Sequence, residues 1–157
     1  MKKYLQILII IGVFIVIAIL LTRQAPLVNV NIDKENLPRV RLGGTTVKVE
    51  IADTQDEQTL GLSGRESLLD GHGMLFVFKE LSEHMFWMKD MKFPIDIIWI
   101  SENFKIVDIK ENATPESYPD VFLPTEKARY VLEVQAGFFA SHRLKLGDKV
   151  RIDGLQF

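Results

Sequence analysis

The chain has 157 residues, 47% of them apolar, no cysteine and a formal net charge of −2. That length suits one domain, and the lack of cysteine excludes disulfide-stapled mini-proteins, thiolate metal sites, cysteine lipidation and thiol catalysis. Lys2, Lys3 and Arg23 put three positive charges and no acid into the first 23 residues, which leaves −5 for the rest; so acidic a body, without a lysine or arginine cluster, argues against nucleic-acid binding.

Residues 5–21 read LQILIIIGVFIVIAILL, with Gln6 and Gly12 the only non-apolar positions. As a helix this run is about 26 Å long, close to the roughly 30 Å bilayer core. Lys2 and Lys3 form a short basic flank, the run exceeds a signal-peptide core, and no small-x-small cleavage site follows. The sequence therefore predicts an uncleaved single-pass anchor over residues 1–23, with secretion after cleavage as the alternative. The basic N-terminus places the rest of the chain outside the cytoplasm. Residues 24–38, polar and carrying Pro26 and Pro38, read as a flexible tether.

The globular part is expected over 39–157. Residues 40–42 and 45–51 flank Gly43-Gly44 as a β-hairpin, with Val47, Val49 and Ile51 alternating against polar neighbours. Thr54 followed by Glu57 is a capping box, which predicts a short helix from Gln55 to about Ser63, stopped by Gly64. Strands are predicted at 74–78, 84–88, 95–100 (entered through Pro94), 104–110, 128–136 and 149–152. Residues 112–127, with Pro115, Pro119 and Pro124, read as a long surface loop, and 137–143 as one or two helical turns. Several strands are apolar on both faces. The fold class is therefore mostly β (α+β), a closed or strongly coiled barrel-like sheet with one or two short helices.

The runs Gly61-Leu62-Ser63-Gly64-Arg65, Gly73-Met74-Leu75-Phe76-Val77-Phe78, Phe86-Trp87-Met88-Lys89-Asp90 and Pro94-Ile95-Asp96-Ile97-Ile98-Trp99, with the later Ala128-Arg129-Tyr130-Val131-Leu132-Glu133 and Leu146-Gly147-Asp148, carry a resemblance. In order and spacing they resemble the domain of unknown function 192 family over residues 40–152. That family usually has methionine where Ser63 stands, and asparagine and threonine where Asp90 and Met91 stand. The resemblance implies a compact β-rich domain, often exported or membrane-tethered, and no established activity.

Candidate ligand-binding residues are Arg65, Trp87, Lys89, Asp96 and Trp99, with His72 and Glu133 weaker. Arg65 offers a planar fork of donors suited to a carboxylate. Asp96 shares a strand face with Ile98 and Ile100, so its carboxylate must be paired. It is either a structural acid holding Arg65, Lys89 or backbone amides, or with Arg65 the polar floor of a pocket walled by Trp87 and Trp99. Trp87 beside Lys89 could stack on a sugar. Glu133 shares a face with Arg129 and Val131, which predicts a cross-strand ion pair. No His pair has metal-ligand spacing, no G-x-S-x-G elbow exists, and Ser141 beside His142 is adjacency alone. No metal and no cofactor are implied.

The leading expectation is a membrane-tethered extracytoplasmic binding or accessory module. Its partners would be the lipid bilayer, through residues 5–21, and an envelope polysaccharide, peptide or membrane protein. Alternatives are a hydrolase or lyase using Asp96 with Arg65 or His72, or a pairing of Asp96 with Glu133, and a purely structural assembly domain.

Overall fold

The computed structural model describes residues 37–155. The expected anchor and all but the last two residues of the expected tether lie outside the described residues. Among the described residues, no helix is long and apolar enough to cross a membrane.

Strand β1 (Arg39–Leu42) turns through Gly43-Gly44 into β2 (Thr45–Ala52), followed by helix α1 (Gln55–Leu60), β3 (His72–Ser82), β4 (Phe86–Trp87) and β5 (Ile95–Ile100). Then come β6 (Ile106–Ala113), a 3₁₀ turn (Pro115–Ser117), β7 (Val121–Phe122), β8 (Ala128–Gln135), α2 (Phe138–Ser141) and β9 (Val150–Asp153). Seven strands form one sheet in the order β6-β5-β8-β3-β2-β1-β9, and β4 pairs with β7 in a separate ribbon. All pairs in the large sheet are antiparallel except β2 with β3, which α1 links as a crossover.

The hairpin forms as its turn chemistry demands. Leu42 faces Thr45 across two glycines with φ of 55° and 83°, the left-handed pair that matches strand twist. The sheet curls into a half-barrel. Its outer strands meet at one corner only, through the Lys105–Lys149 bridge and bonds such as Val150 N–H to the Phe104 carbonyl, 2.8 Å. The expected closed sheet is thus a curl fastened at one corner.

Two cores lie on the two faces. Inside the curl pack Val40, Val47, Val49, Leu75, Ile98, Leu132 and Val150. On the outer face pack Met74, Phe76, Phe86, Ile95, Ile97, Trp99 and Val131, under Leu62 and Met88. Strand β5 is buried along its whole length because it serves both.

Three expectations are corrected. Helix α1 ends at Leu60, not near Ser63, because Gly61 adopts φ 51° and ψ −131° while its N–H still bonds the Glu57 carbonyl. The strand expected at 84–88 shrinks to Phe86–Trp87, which has only the two residues of β7 to pair with. The expected loop at 112–127 contains β7 and the 3₁₀ turn that Pro115 starts.

Candidate functional site

The site grows from one row of side chains across the outer face. Registers place Glu50 of β2 beside Met74 of β3, Met74 opposite Glu133 of β8, and Glu133 opposite Ile97 of β5. Strand alternation sends Tyr130, Leu132 and Val134 into the curl, so Val131 and Glu133 project from the other face. Glu133 is 5% exposed, and its Oε2 has no hydrogen-bond partner. Burial among apolar neighbours pushes its carboxyl up to about 8, against a partial opposing pull from the Arg65 guanidinium. At neutral pH it is mostly a protonated acid, able to donate as well as accept.

The segment after β2 roofs this acid. Thr54 and Glu57 close the capping box: Glu57 N–H donates to Thr54 Oγ1 at 3.3 Å and Thr54 N–H to Glu57 Oε2 at 3.1 Å. The Thr54 hydroxyl, donating to Glu57 Oε2 at 2.8 Å, and then the Thr54 N–H hold the Glu57 carboxyl below its usual range. Gln58 Nε2 donates to the Val77 carbonyl at 2.9 Å, fastening α1 onto β3. Gly61 then brings the backbone down onto the sheet. A Cβ there would stand 3.3 Å from the Phe76 ring and 3.8 Å from Glu133 Oε2, so the closeness of the roof depends on the missing side chain. Arg65 follows and grips Glu50 with both fork nitrogens, Nη1 to Oε1 at 2.6 Å and Nη2 to Oε2 at 2.8 Å. That bond holds the guanidinium above its ordinary range. Ser63 Oγ donates to the Lys89 carbonyl and Gly64 N–H to the Asp90 carbonyl, both at 2.8 Å. Asp90 has φ 56°, a left-handed conformation that aspartate tolerates better than most non-glycine residues.

Between α1, β3 and the β4 segment lies an open cleft of about 800 Å³. Glu133 forms part of its floor, Phe78 and Trp87 supply aromatic surface over the buried rings of Phe76 and Phe86, and Gln58 and Ser63 are among its polar groups. The His84 ring stacks on Phe78 with centroids 3.5 Å apart, and burial pushes its titration down.

The structure separates the residues that the sequence suggested would meet. Asp96 is fully buried on the opposite face from Arg65, and it accepts from the N–H groups of Asn112 (2.9 Å), Gly137 (3.1 Å) and Phe139 (2.9 Å). It thus holds the end of β6 and the start of α2, one of the structural roles expected of it. No Asp96–Arg65 floor forms, because an odd step along β5 puts Asp96 inside the curl while Ile97 faces Glu133. For the same reason Asp96 and Glu133 are not a carboxylate pair. Trp99 is buried in the outer core, its Nε1–H bonded to the His84 carbonyl at 2.9 Å, and is not part of the lining of this cleft. Trp87 does line the cleft and is 41% exposed. Lys89 is exposed and enters through its carbonyl alone. His72 sits at the start of β3 with Nδ1 against the Asp70 carbonyl at 2.9 Å, away from both Asp96 and the cleft. Glu133 has Met74 and Ile97 as its cross-strand neighbours, so among the described residues the expected cross-strand ion pair does not form. Among the described residues, no group of three or more His, Asp or Glu could hold a metal ion. The sequence reading missed Gly61, Phe78 and His84. Only Gly61 carried a signal, as a glycine soon after a capping box.

Fold and site together define a class: a curled β half-barrel with a buried carboxyl at the floor of an aromatic-lined cleft. The chain belongs to the DUF192 family, described as Uncharacterized ACR, whose family model matches residues 39–152. The UPF0127 protein PH1112 of Pyrococcus horikoshii is 28% identical over 109 residues, covering 66% of this chain and 86% of that protein. A UPF0127 protein of Thermococcus gammatolerans is 31% identical over 110 residues, covering 67% of this chain and 66% of that protein. A crystal structure of a protein of unknown function from Novosphingobium aromaticivorans superposes with TM-score 0.69 at 31% identity, over 72% of this chain and 83% of the other. One from Sinorhizobium meliloti, described as a candidate transcription regulator, superposes with TM-score 0.70 at 36% identity, over 75% and 95%.

Proposed function

We propose that the domain is a ligand-binding module held at the outer side of a membrane, and that the α1–β3–β4 cleft receives the ligand, a component of the cell envelope. The observation that carries this reading is Glu133: a nine-tenths-buried carboxyl with an unpartnered oxygen at the floor of an open cleft. A buried polar group without a partner is costly, about 1–3 kcal/mol, and a ligand that bonds it recovers that cost on binding. Aromatic surface with a few convergent polar groups is the usual make-up of a small-molecule site. The apolar run 5–21 behind Lys2 and Lys3 supports the tether. Asp96 is occupied by three amides and Arg65 by Glu50, so neither is available for acid–base chemistry.

The test is a thermal-shift and calorimetric screen of the full-length protein in detergent against soluble polysaccharide and peptide fragments of the envelope. At least one class should bind, and Trp87→Ala should weaken it about tenfold, ~1.4 kcal/mol. Binding that survives Trp87→Ala and Glu133→Gln unchanged would place the ligand elsewhere. Protease added to spheroplasts should digest the chain beyond residue 40, and full protection would reverse the topology.

A further inference from the structure

We propose that the group the cleft receives at Glu133 is an organic ammonium ion. The inference rests on the binding role of the cleft and names the chemistry that role would serve. Two carboxyls, Glu50 and Glu133, lie in one row of the sheet, and the roof brings a single guanidinium to them. Arg65 is committed to Glu50 by two bonds, 2.6 and 2.8 Å. Glu133 is within reach of its field but shares none of its hydrogens. When Glu133 ionises, its Oε2 has no hydrogen-bond donor from the protein, and the cleft that Glu133 lines is a side from which one can arrive.

The lining agrees. The ionisable groups around the cleft other than Glu133 and His84 are Asp53, Glu80 and Glu83 against Lys79 alone. That excess of negative charge draws cations and repels anions. His84 has its titration pushed down by burial, so at neutral pH its ring adds no positive charge. Phe78, half-buried, and Trp87, 41% exposed, offer ring surfaces of the kind that hold alkylammonium groups. Met91 adds apolar lining.

Below about pH 8 the Glu133 carboxyl holds a proton. An arriving ammonium pairs with the carboxylate, and that proton leaves to solvent. Affinity should therefore rise with pH, up to about tenfold per unit, and level off above about pH 8. A neutral ligand accepting a bond from the protonated acid would show the opposite slope.

The experiment is titration calorimetry of the full-length protein in detergent between pH 6 and 9, in buffers of different ionisation enthalpy. The probes are choline, n-butylammonium and the neutral choline isostere 3,3-dimethylbutanol. We expect both cations to bind with release of up to one proton at pH 6–7 and the neutral isostere to bind at least tenfold more weakly. Glu133→Gln should remove the pH slope, and Trp87→Ala, a change at a half-exposed position, should weaken both cations in a protein that stays folded. Equal binding of the isostere, an affinity that falls with pH, or no binding of either cation overturns the inference. If neutral envelope fragments then bind in a Trp87-dependent way, the binding role stands without it. If no class binds, both fall.

Discussion

Glu133 shows how one residue ties stability to pH. Its folded titration lies near 8 against an ordinary value of 4.5, so between those limits the folded protein holds a proton that the unfolded chain has lost. The stability that Glu133 contributes must therefore fall as pH rises through that window and flatten above it, with a slope of up to about 1.4 kcal/mol per pH unit. Glu133→Gln keeps the shape and cannot ionise. Denaturant titrations at pH 5, 7 and 9 should find the variant gaining on the wild type as pH rises, and parallel losses in the two proteins would place the slope on other groups. Asp96 is the contrasting acid. It is buried too, but three backbone donors meet its two oxygens, so neither oxygen is left without a partner.

At the scale of elements, α1 is a six-residue helix with no buried side chain, so its cap and the Gln58 tie carry much of the work of holding it. Thr54→Ala removes the acceptor for Glu57 N–H and should cost about 1 kcal/mol, read as a lowered urea midpoint. A cost near zero would mean that Glu57 alone caps the helix. Such local devices were legible in the sequence. The capping box, the Gly43-Gly44 turn, Pro94 before β5 and the alternation of Val47, Val49 and Ile51 act within a few residues, and each formed. What could not be read was pairing over distance. All six residues of β5 are buried, so its composition does not say which face carries the site, and the choice of Asp96 over Glu133 turned on that face. Nor could the sequence say that Arg65 reaches back 15 residues to Glu50 rather than to Asp96, because the reach depends on the crossover through α1. Glu133 looked like half of an ion pair because Arg129 shares its strand face, but its neighbours across the sheet are Met74 and Ile97.

At the scale of the whole molecule, two cores share one sheet. Ile98 packs inside the curl and Phe76 outside it, and both sit on strands that pair with β8. Loss of either core exposes the backbone of the other, so Ile98→Ala and Phe76→Ala should each lower one common transition, by about 2–5 kcal/mol. Coincident curves from far-ultraviolet circular dichroism and tryptophan fluorescence would show this, and two separated transitions would show cores that melt independently. The roof belongs to that same unit. It is nailed to the sheet by Gln58 and Arg65, and to the 88–91 turn by Ser63 and Gly64. A cover fastened on both banks keeps Gly61 close over Glu133, so on the binding reading proposed above a ligand would have to come in by the open rim, and how long it stayed would follow from the strength of its contacts.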